Sequence, residues 1–244
     1  MLEGGHGPGA SDDLVLHRDQ RGRVNGLVYY GAQLVIAADD DSALDAFAVE
    51  TRRHRGLRSF VGPKDAVDGL WARVQGWHPQ PVMVRDTQPL YVVAPDALRA
   101  PGPDDGVRRA RPDDVELVVE NSGRMILGEL GYDPRMNRAG FTAAVRRAIA
   151  NGLWWVYVVD GVLRFQINVG PRSAATAQLQ GVWTPPEQRG KGYATFALGA
   201  IARQLLTTEA TLSLYVNGFN APAIALYERL GFSRAGTFAT YLFP

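Results

Sequence analysis

Short apolar runs of strand-like period alternate along this chain with stretches in which apolar residues recur every third or fourth position, a pattern that predicts an α/β protein. Residues 24–38, VNGLVYYGAQLVIAA, carry two apolar runs around Gly31, Ala32 and Gln33 and predict a β-hairpin. Asp39 to Ser42 supply N-cap chemistry for a helix with Ala43, Leu44, Phe47 and Ala48 on one side, ending near Gly56. A short strand over 57–61 follows. Pro63 then stands where a first-turn proline precedes Ala66, Val67, Leu70, Trp71 and Val74. Residues 81–85 and 88–94 read as a second pair of strands.

Past residue 94 the pattern lapses. In APDALRAPGPDDG, residues 94–106, prolines, glycines and aspartates leave little apolar material to bury, which suits a linker. The expected organisation is a loose tail over 1–18, a small α/β domain over 19–98, a linker over 99–106 and a second domain over 107–244. The second domain opens with a strand at 107–110, and Pro112, Asp113 and Asp114 then start a helix through Val115, Leu117, Val118 and Val119. Residues 121–134 mix helix formers with Gly123, Gly128 and Gly131 and predict only a short helix between turns. A helix over 141–150 points Val145 and Ile149 inward. Residues 154–159 and 162–169 form a hairpin around Asp160–Gly161, a dipeptide suited to a tight turn of positive φ. Trp154, Trp155 and Tyr157 alternate on its first strand and are expected to fill both faces of a sheet. A strand at 212–216, a helix at 221–230 and a last strand through 238–243 complete the pattern. No internal repeat stands out.

Composition narrows the chemistry. The 244 residues carry 26 Lys plus Arg against 25 Asp plus Glu, so a net charge of +1 offers no broad field for nucleic acid or an anionic membrane. Basic clusters at Arg52, Arg53 and Arg55 and at Arg108, Arg109 and Arg111 lack interleaved aromatics and read as solvated faces, which predicts no nucleic-acid partner. Without cysteine there is no disulfide, thiolate metal site or Cys nucleophile. His6, His17, His54 and His78 show no metal-ligand spacing. The first residues lack the basic and apolar blocks of a signal peptide, and the longest apolar run, 153–159, is too short to span a bilayer. A soluble cytoplasmic protein with no membrane partner is expected.

The most informative stretch is 177–206, where an apolar strand meets the turn RGKGYA and runs straight into a helix. Such a turn aligns backbone N–H groups at the positive end of the helix, and Gly190 and Gly192 let a phosphate or pyrophosphate approach without a Cβ in the way. The same turn also fits an ordinary Gly-rich surface loop. Two motifs decide between them. Arg189, Gly192 and Ala194 match a pattern of Gln or Arg, two residues, Gly, one residue, then Gly or Ala. Downstream, Val216, Asn220, Ala223, Leu226, Tyr227, Gly231 and Phe232 match a second. In this order, over about residues 107–244, the chain resembles the GNAT acetyltransferases. Its first half, especially in the segments YYGAQLVIAAD and VGPKDAV, resembles the partly degenerate GNAT-like domain that precedes the catalytic one in some bacterial members.

That resemblance implies a GNAT fold, an α/β (α+β type) domain whose central, mostly antiparallel sheet splays between two parallel strands. It also implies acetyl-CoA as cosubstrate, with no metal. The N–H groups of Gly190, Lys191, Gly192, Tyr193 and Ala194 would take the pyrophosphate, with Arg189 and Lys191 near it. Val182 and Thr184 would face the pantetheine arm, helped by Pro185 and Pro186, and a free N–H near Val182 would polarise the thioester. Tyr227 would protonate the departing thiolate, although Ala223, Leu226, Tyr227 and Leu230 also form a helical packing stripe. Asn220 reads as a helix N-cap or a pantetheine contact. Where many relatives carry a carboxylate on the strand before the turn, this chain has Gln178 and Gln180, which leaves Glu120 and Glu129 as candidate bases. The implied reaction moves acetyl directly to a primary amine of a small molecule, peptide or protein. A non-catalytic acyl-CoA-binding or sensing module is the alternative.

Overall fold

The computed structural model describes residues 2–4, 13–31, 33–54, 56–102 and 106–244. Two compact units emerge, and neither follows from a single cut in the chain. The first gathers Met1–Leu90, Tyr215–Asn220 and Ala235–Pro244; the second gathers Tyr91–Leu214 and Ala221–Arg234.

In the first unit, β1 (Leu2–Gly4), β2 (Leu14–Arg18), β3 (Val24–Tyr30) and β4 (Leu34–Ala38) form an antiparallel meander. Helix α1 (Asp41–Thr51) follows, then β5 (Ser59–Pro63), parallel to β4, and α2 (Lys64–Val74). The last strand of the chain, β12 (Ser233–Leu242), returns to pair antiparallel with β5 through Phe238–Leu242. Apolar faces of both helices close over the strands: Phe47, Leu70 and Val67 pack with Val28, Leu34, Ile36 and Phe60, joined by Ala239 and Phe243 from the C-terminal end. The predicted hairpin at 24–38 and both helices are present.

Three expectations change here. Leu14–Arg18, assigned to a loose tail, is a strand because its alternating pattern buries Val15 and His17 against β3, while residues 5–12 of that tail lie outside the described residues. The two strands expected over 81–94 are one, β6 (Met83–Val93). Its Asp-Thr-Gln middle has no glycine after the aspartate to complete a tight turn, and the chain runs straight through. The expected linker also partly packs: the Arg99 N–H donates to the Leu230 carbonyl at 2.9 Å, and Arg203 reaches the Ala100 carbonyl at 3.1 Å. Residues 103–105 are outside the described residues.

The second unit holds β7 (Val107–Arg109), α3 (Val115–Leu130), α4 (Arg138–Ala150), β8 (Trp154–Val159), β9 (Val162–Arg172), β10 (Ala177–Trp183), α5 (Tyr193–Leu205), β11 (Leu212–Tyr215) and α6 (Ala221–Arg229). The strand order β11-β10-β9-β8-β7 has antiparallel neighbours except β10 and β11. Asp160 (φ 51°) and Gly161 (φ 72°) make the tight turn between β8 and β9. Val145 and Ile149 point inward as expected, against Val118, Val119, Trp154 and Val156.

The short helix expected over 121–134 is instead the second half of α3. Gly123 does not break it because a Cβ there would stand 2.5 Å from the Arg135 side chain, so tertiary packing selects the missing side chain. The helix stops at Gly131, whose φ of 75° lets its N–H reach back to the Leu127 carbonyl at 3.0 Å.

Candidate functional site

The two parallel strands of the second unit share only two rungs, Ala177 with Leu212 and Gln178 with Ser213. Beyond them β10 keeps its antiparallel partner through Leu179–Val169, Gln180–Asn168 and Trp183–Gln166, with register shifts between Ala177 and Leu179 and between Gln180 and Trp183, and Gly181 at φ 59°. A bulge of this kind re-aims the strand and ends regular pairing. From Leu179 to Trp183 the edge that faced β11 is therefore without a ladder partner. Backbone N–H and C=O groups there are open to a ligand that pairs as a strand does.

After Trp183 the chain makes a nine-residue turn into α5, braced by backbone and side-chain contacts. A short 3-10 turn, Pro186–Gln188, closes on the Pro185 carbonyl, which accepts from the Gln188 N–H at 2.8 Å. The Gln188 amide oxygen accepts from the Arg164 guanidinium at 2.5 Å and from the Lys191 ammonium at 3.3 Å, and Lys191 also donates to the Glu187 carbonyl at 3.0 Å. Arg164 lies 5.5 Å from the Tyr193 ring centre. Arg124 holds the Glu187 carboxylate through two bonds of 3.0 and 2.9 Å, which brings that acid down to about 2. Arg189 stacks on Trp183 at 4.9 Å and donates to the Thr184 carbonyl at 3.1 Å. Both predicted cations of the turn are thus engaged in bracing it.

At the end of this turn Gly192 (φ 80°) is the N-cap of α5 and brings no side-chain bond to it. The first helical bond runs from the Phe196 N–H to the Gly192 carbonyl at 3.1 Å, so the N–H groups of Tyr193, Ala194 and Thr195 precede the ladder. A Cβ at Gly190 or Gly192 would meet nothing within 4 Å, so this helix start faces open space. Uncapped N–H groups at a positive helix end suit a phosphate-bearing ligand.

Tyr227 lies on the buried side of α6, 4% exposed, between the rings of Tyr91 at 6.2 Å and Phe232 at 5.9 Å. Burial pushes its phenol well above the ordinary tyrosine range, and the negative charge of Glu129 adds to the shift. That coupling relates Glu129, exposed near the end of α3, to Tyr227. Glu120 is placed differently: Arg135 and Arg138 grip its two oxygens at 2.7 and 2.8 Å and hold its carboxyl below the usual range, Arg138 acting most strongly. Gln178 and Gln180 bond to each other at 2.7 Å. Asn220 directly precedes α6, and its N–H donates to the Asn217 carbonyl at 2.8 Å; it falls in the first unit.

Trp183, Arg164, Gln188, Arg124 and Glu187 brace the turn yet do not stand out in the sequence. Their partners lie as far as 63 positions away, as for Arg124 and Glu187. Among the described residues no group of His, Cys, Asp or Glu is arranged to hold a metal ion, and no helix is long and apolar enough to cross a membrane. The arginine clusters are also committed to partners: Arg53 to Glu50, Arg52 to Trp77, Arg108 to Asp114 and Arg109 to Trp155. Arg55 lies outside the described residues.

Comparison with known proteins places this geometry. Residues 172–242 match the family model described as FR47-like protein, and residues 15–118 match a domain of unknown function (DUF4081). No curated protein sequence matches the chain. Among solved structures, a GNAT-family acetyltransferase from Colwellia psychrerythraea is similar with a TM-score of 0.60 at 13% identity, over 95% of this chain and 85% of that one. A putative GNAT-family acetyltransferase from Novosphingobium aromaticivorans gives 0.57 at 21% identity, over 89% and 87%. A tandem GNAT protein from the clavulanic acid biosynthesis pathway gives 0.52 at 15% identity, over 94% and 82%. With parallel strands that part after two rungs beside an uncapped helix start, the chain shares its fold with these GNAT-family structures, and residues 172–242 carry the FR47-like match.

Proposed function

We propose that the protein is an acyl-CoA-dependent N-acyltransferase that moves acetyl from acetyl-CoA to a primary amine. The observation that carries this reading is the parting of β10 from β11 after two rungs, next to an α5 start with no side-chain cap. The gap offers backbone pairing to the amide-bearing pantetheine arm along Leu179–Trp183, including Val182, with Thr184 just beyond. The N–H groups from Gly190 to Ala194 receive the pyrophosphate. Acetyl-CoA supplies an activated thioester. The N–H of Val182 is the nearest candidate on β10 for polarising its carbonyl.

Tyr227 is the proposed acid. Its raised pKa keeps the phenol protonated throughout the neutral range, so it always has a proton to donate to the sulfur as the C–S bond breaks. The overall reaction needs no outside proton, because the one lost by the attacking amine equals the one gained by the thiolate. Glu120 is committed to Arg135 and Arg138, and Glu129, in the same unit as Tyr227, is the proposed acceptor of that proton. Acceptors with a free amine, whether small molecules, peptides or proteins, fit this chemistry.

A second reading, acyl-CoA binding without transfer, has its own support: β10 carries two mutually bonded glutamines and no carboxylate. Incubation with acetyl-CoA and a panel of amines, followed by mass spectrometry of the products and measurement of released thiol, separates the two. Acetylated amine matched by free CoA supports transfer. Tight acetyl-CoA binding without either product supports the second reading.

A further inference from the structure

The first unit repeats the strand and helix order of the donor site. In it β2, β3 and β4 form an antiparallel meander, α1 crosses over, β5 lies parallel to β4, and α2 follows. In the second unit β8, β9, β10, α5, β11 and α6 do the same. Even the parallel pairing matches, because β4 and β5 also share two rungs, Leu34 with Phe60 and Val35 with Val61. Resting on the donor reading of the second unit, we infer that the first unit is a second copy of that half whose acyl-CoA site is closed by the chain itself: Asp40 sits where the anion would bind, and Gly62 lies against Ile36 where the arm would enter.

Two independent features carry this. The first is at the helix start. Where nine residues join β10 to α5, only Asp39 and Asp40 join β4 to α1. Asp40 is the N-cap, and one carboxylate oxygen accepts from the Ala43 N–H at 3.0 Å and the Ser42 hydroxyl at 2.7 Å. The other accepts from the Asn25 amide at 2.7 Å, while the Asn25 oxygen is bonded to the buried His17 ring at 2.7 Å. A negative oxygen thus already occupies the positive end of this helix, and a phosphate brought there would meet like charge. The second feature is at the strands. One position beyond the last rung, a Cβ on Gly62 would stand 2.1 Å from the Ile36 carbonyl oxygen, so β5 touches β4 where the second unit's strands are already unpaired. No room for a pantetheine arm is left between them.

The prediction is one acyl-CoA per chain, held by the second unit. Native mass spectrometry and calorimetry of the full chain with CoA measure it without any substitution. One equivalent for the wild type, none for Gly192→Trp, and one for Asp40→Asn are expected. Two equivalents, or one equivalent retained in Gly192→Trp, would overturn the closure while leaving acyl-CoA binding in place. If the wild type binds none, the donor reading of the second unit fails. The closure is then judged by Gly62→Ala, which must lower the melting temperature by several degrees; an unchanged melting temperature refutes the tight β4–β5 approach.

Discussion

The starts of α1 and α5 are the same structural device, capped by a side chain in one and left uncapped in the other. Both follow a strand, both precede a parallel strand, and both present the positive end of a helix. At α1 a two-residue turn places a carboxylate on that end, held by an amide, a hydroxyl and a backbone N–H. At α5 a longer turn with two glycines of positive φ leaves the end bare, and the nearby cations are tied down so that the backbone itself is presented. The positive end of a helix that follows a strand in this way suits a negative group. Whether a ligand or the chain fills it depends on one capping side chain and the length of the turn.

The largest effect that tests this contrast is at the bare end. Gly192→Trp forces a bulky L-residue into φ 80° and fills the space over the helix start, so acetyl-CoA affinity should fall by roughly 100-fold or more in calorimetry. Binding at the wild-type level would remove the pyrophosphate site from Gly190–Ala194. Next in size, Tyr227→Phe should lower turnover by about 100-fold with acetyl-CoA affinity nearly unchanged, since the buried ring keeps its packing and only the proton donor is lost. Equal turnover of the two proteins would sink the acid role.

Smaller effects follow. At the closed end, Gly62→Ala brings a methyl onto a backbone carbonyl and should cost about 1–3 kcal/mol in denaturant unfolding, whereas the added methyl of Gly190→Ala meets open space and should act mainly through its strained φ. Glu129→Gln should reduce kcat/KM by about tenfold and Glu120→Gln scarcely at all; the reverse ranking would move the base to Glu120. Asp40→Asn gives the smallest change. The Ala43 N–H, with Ser42 and Asn25, holds the Asp40 carboxyl at about 2, below its value of about 3.9 in the unfolded chain. The wild type should therefore be the more stable protein above pH 4, and its advantage should disappear as the pH falls through about 2. A stability difference that stays constant across that range would show that the charge contributes nothing.

Much of the fold is legible because its signals are local. The Asp160–Gly161 turn, the Asp40 cap and the Pro63 entry to α2 each depend on neighbouring residues, and each appears where the pattern places it. The glycine turn into α5 is legible in the same way, since the turn and the helix it opens are contiguous. The misreadings are all tertiary. Gly123 looks like a breaker until Arg135 is seen packed against it, β6 looks like two strands, and Leu14–Arg18 looks like tail until β3 is beside it. The repeat between the units shows in the sequence only as a resemblance of the first half to a GNAT-like domain, because a capping carboxylate and a glycine turn share no residues although they stand at equivalent places.

By itself, then, the sequence determined the order of most strands and helices and the two-glycine turn that opens α5, and it singled out Tyr227, Glu120 and Glu129 as candidates. Periodicity, capping and turn chemistry act over a few residues and can be read directly. Only the tertiary structure decided that β10 and β11 part after two rungs while β5 stays against β4 at Gly62, that Arg189 and Lys191 brace the turn, and that Glu120 is locked between two arginines. These outcomes depend on strand register and on ion pairs between residues remote in the chain, and such distances are set by packing rather than by any local pattern.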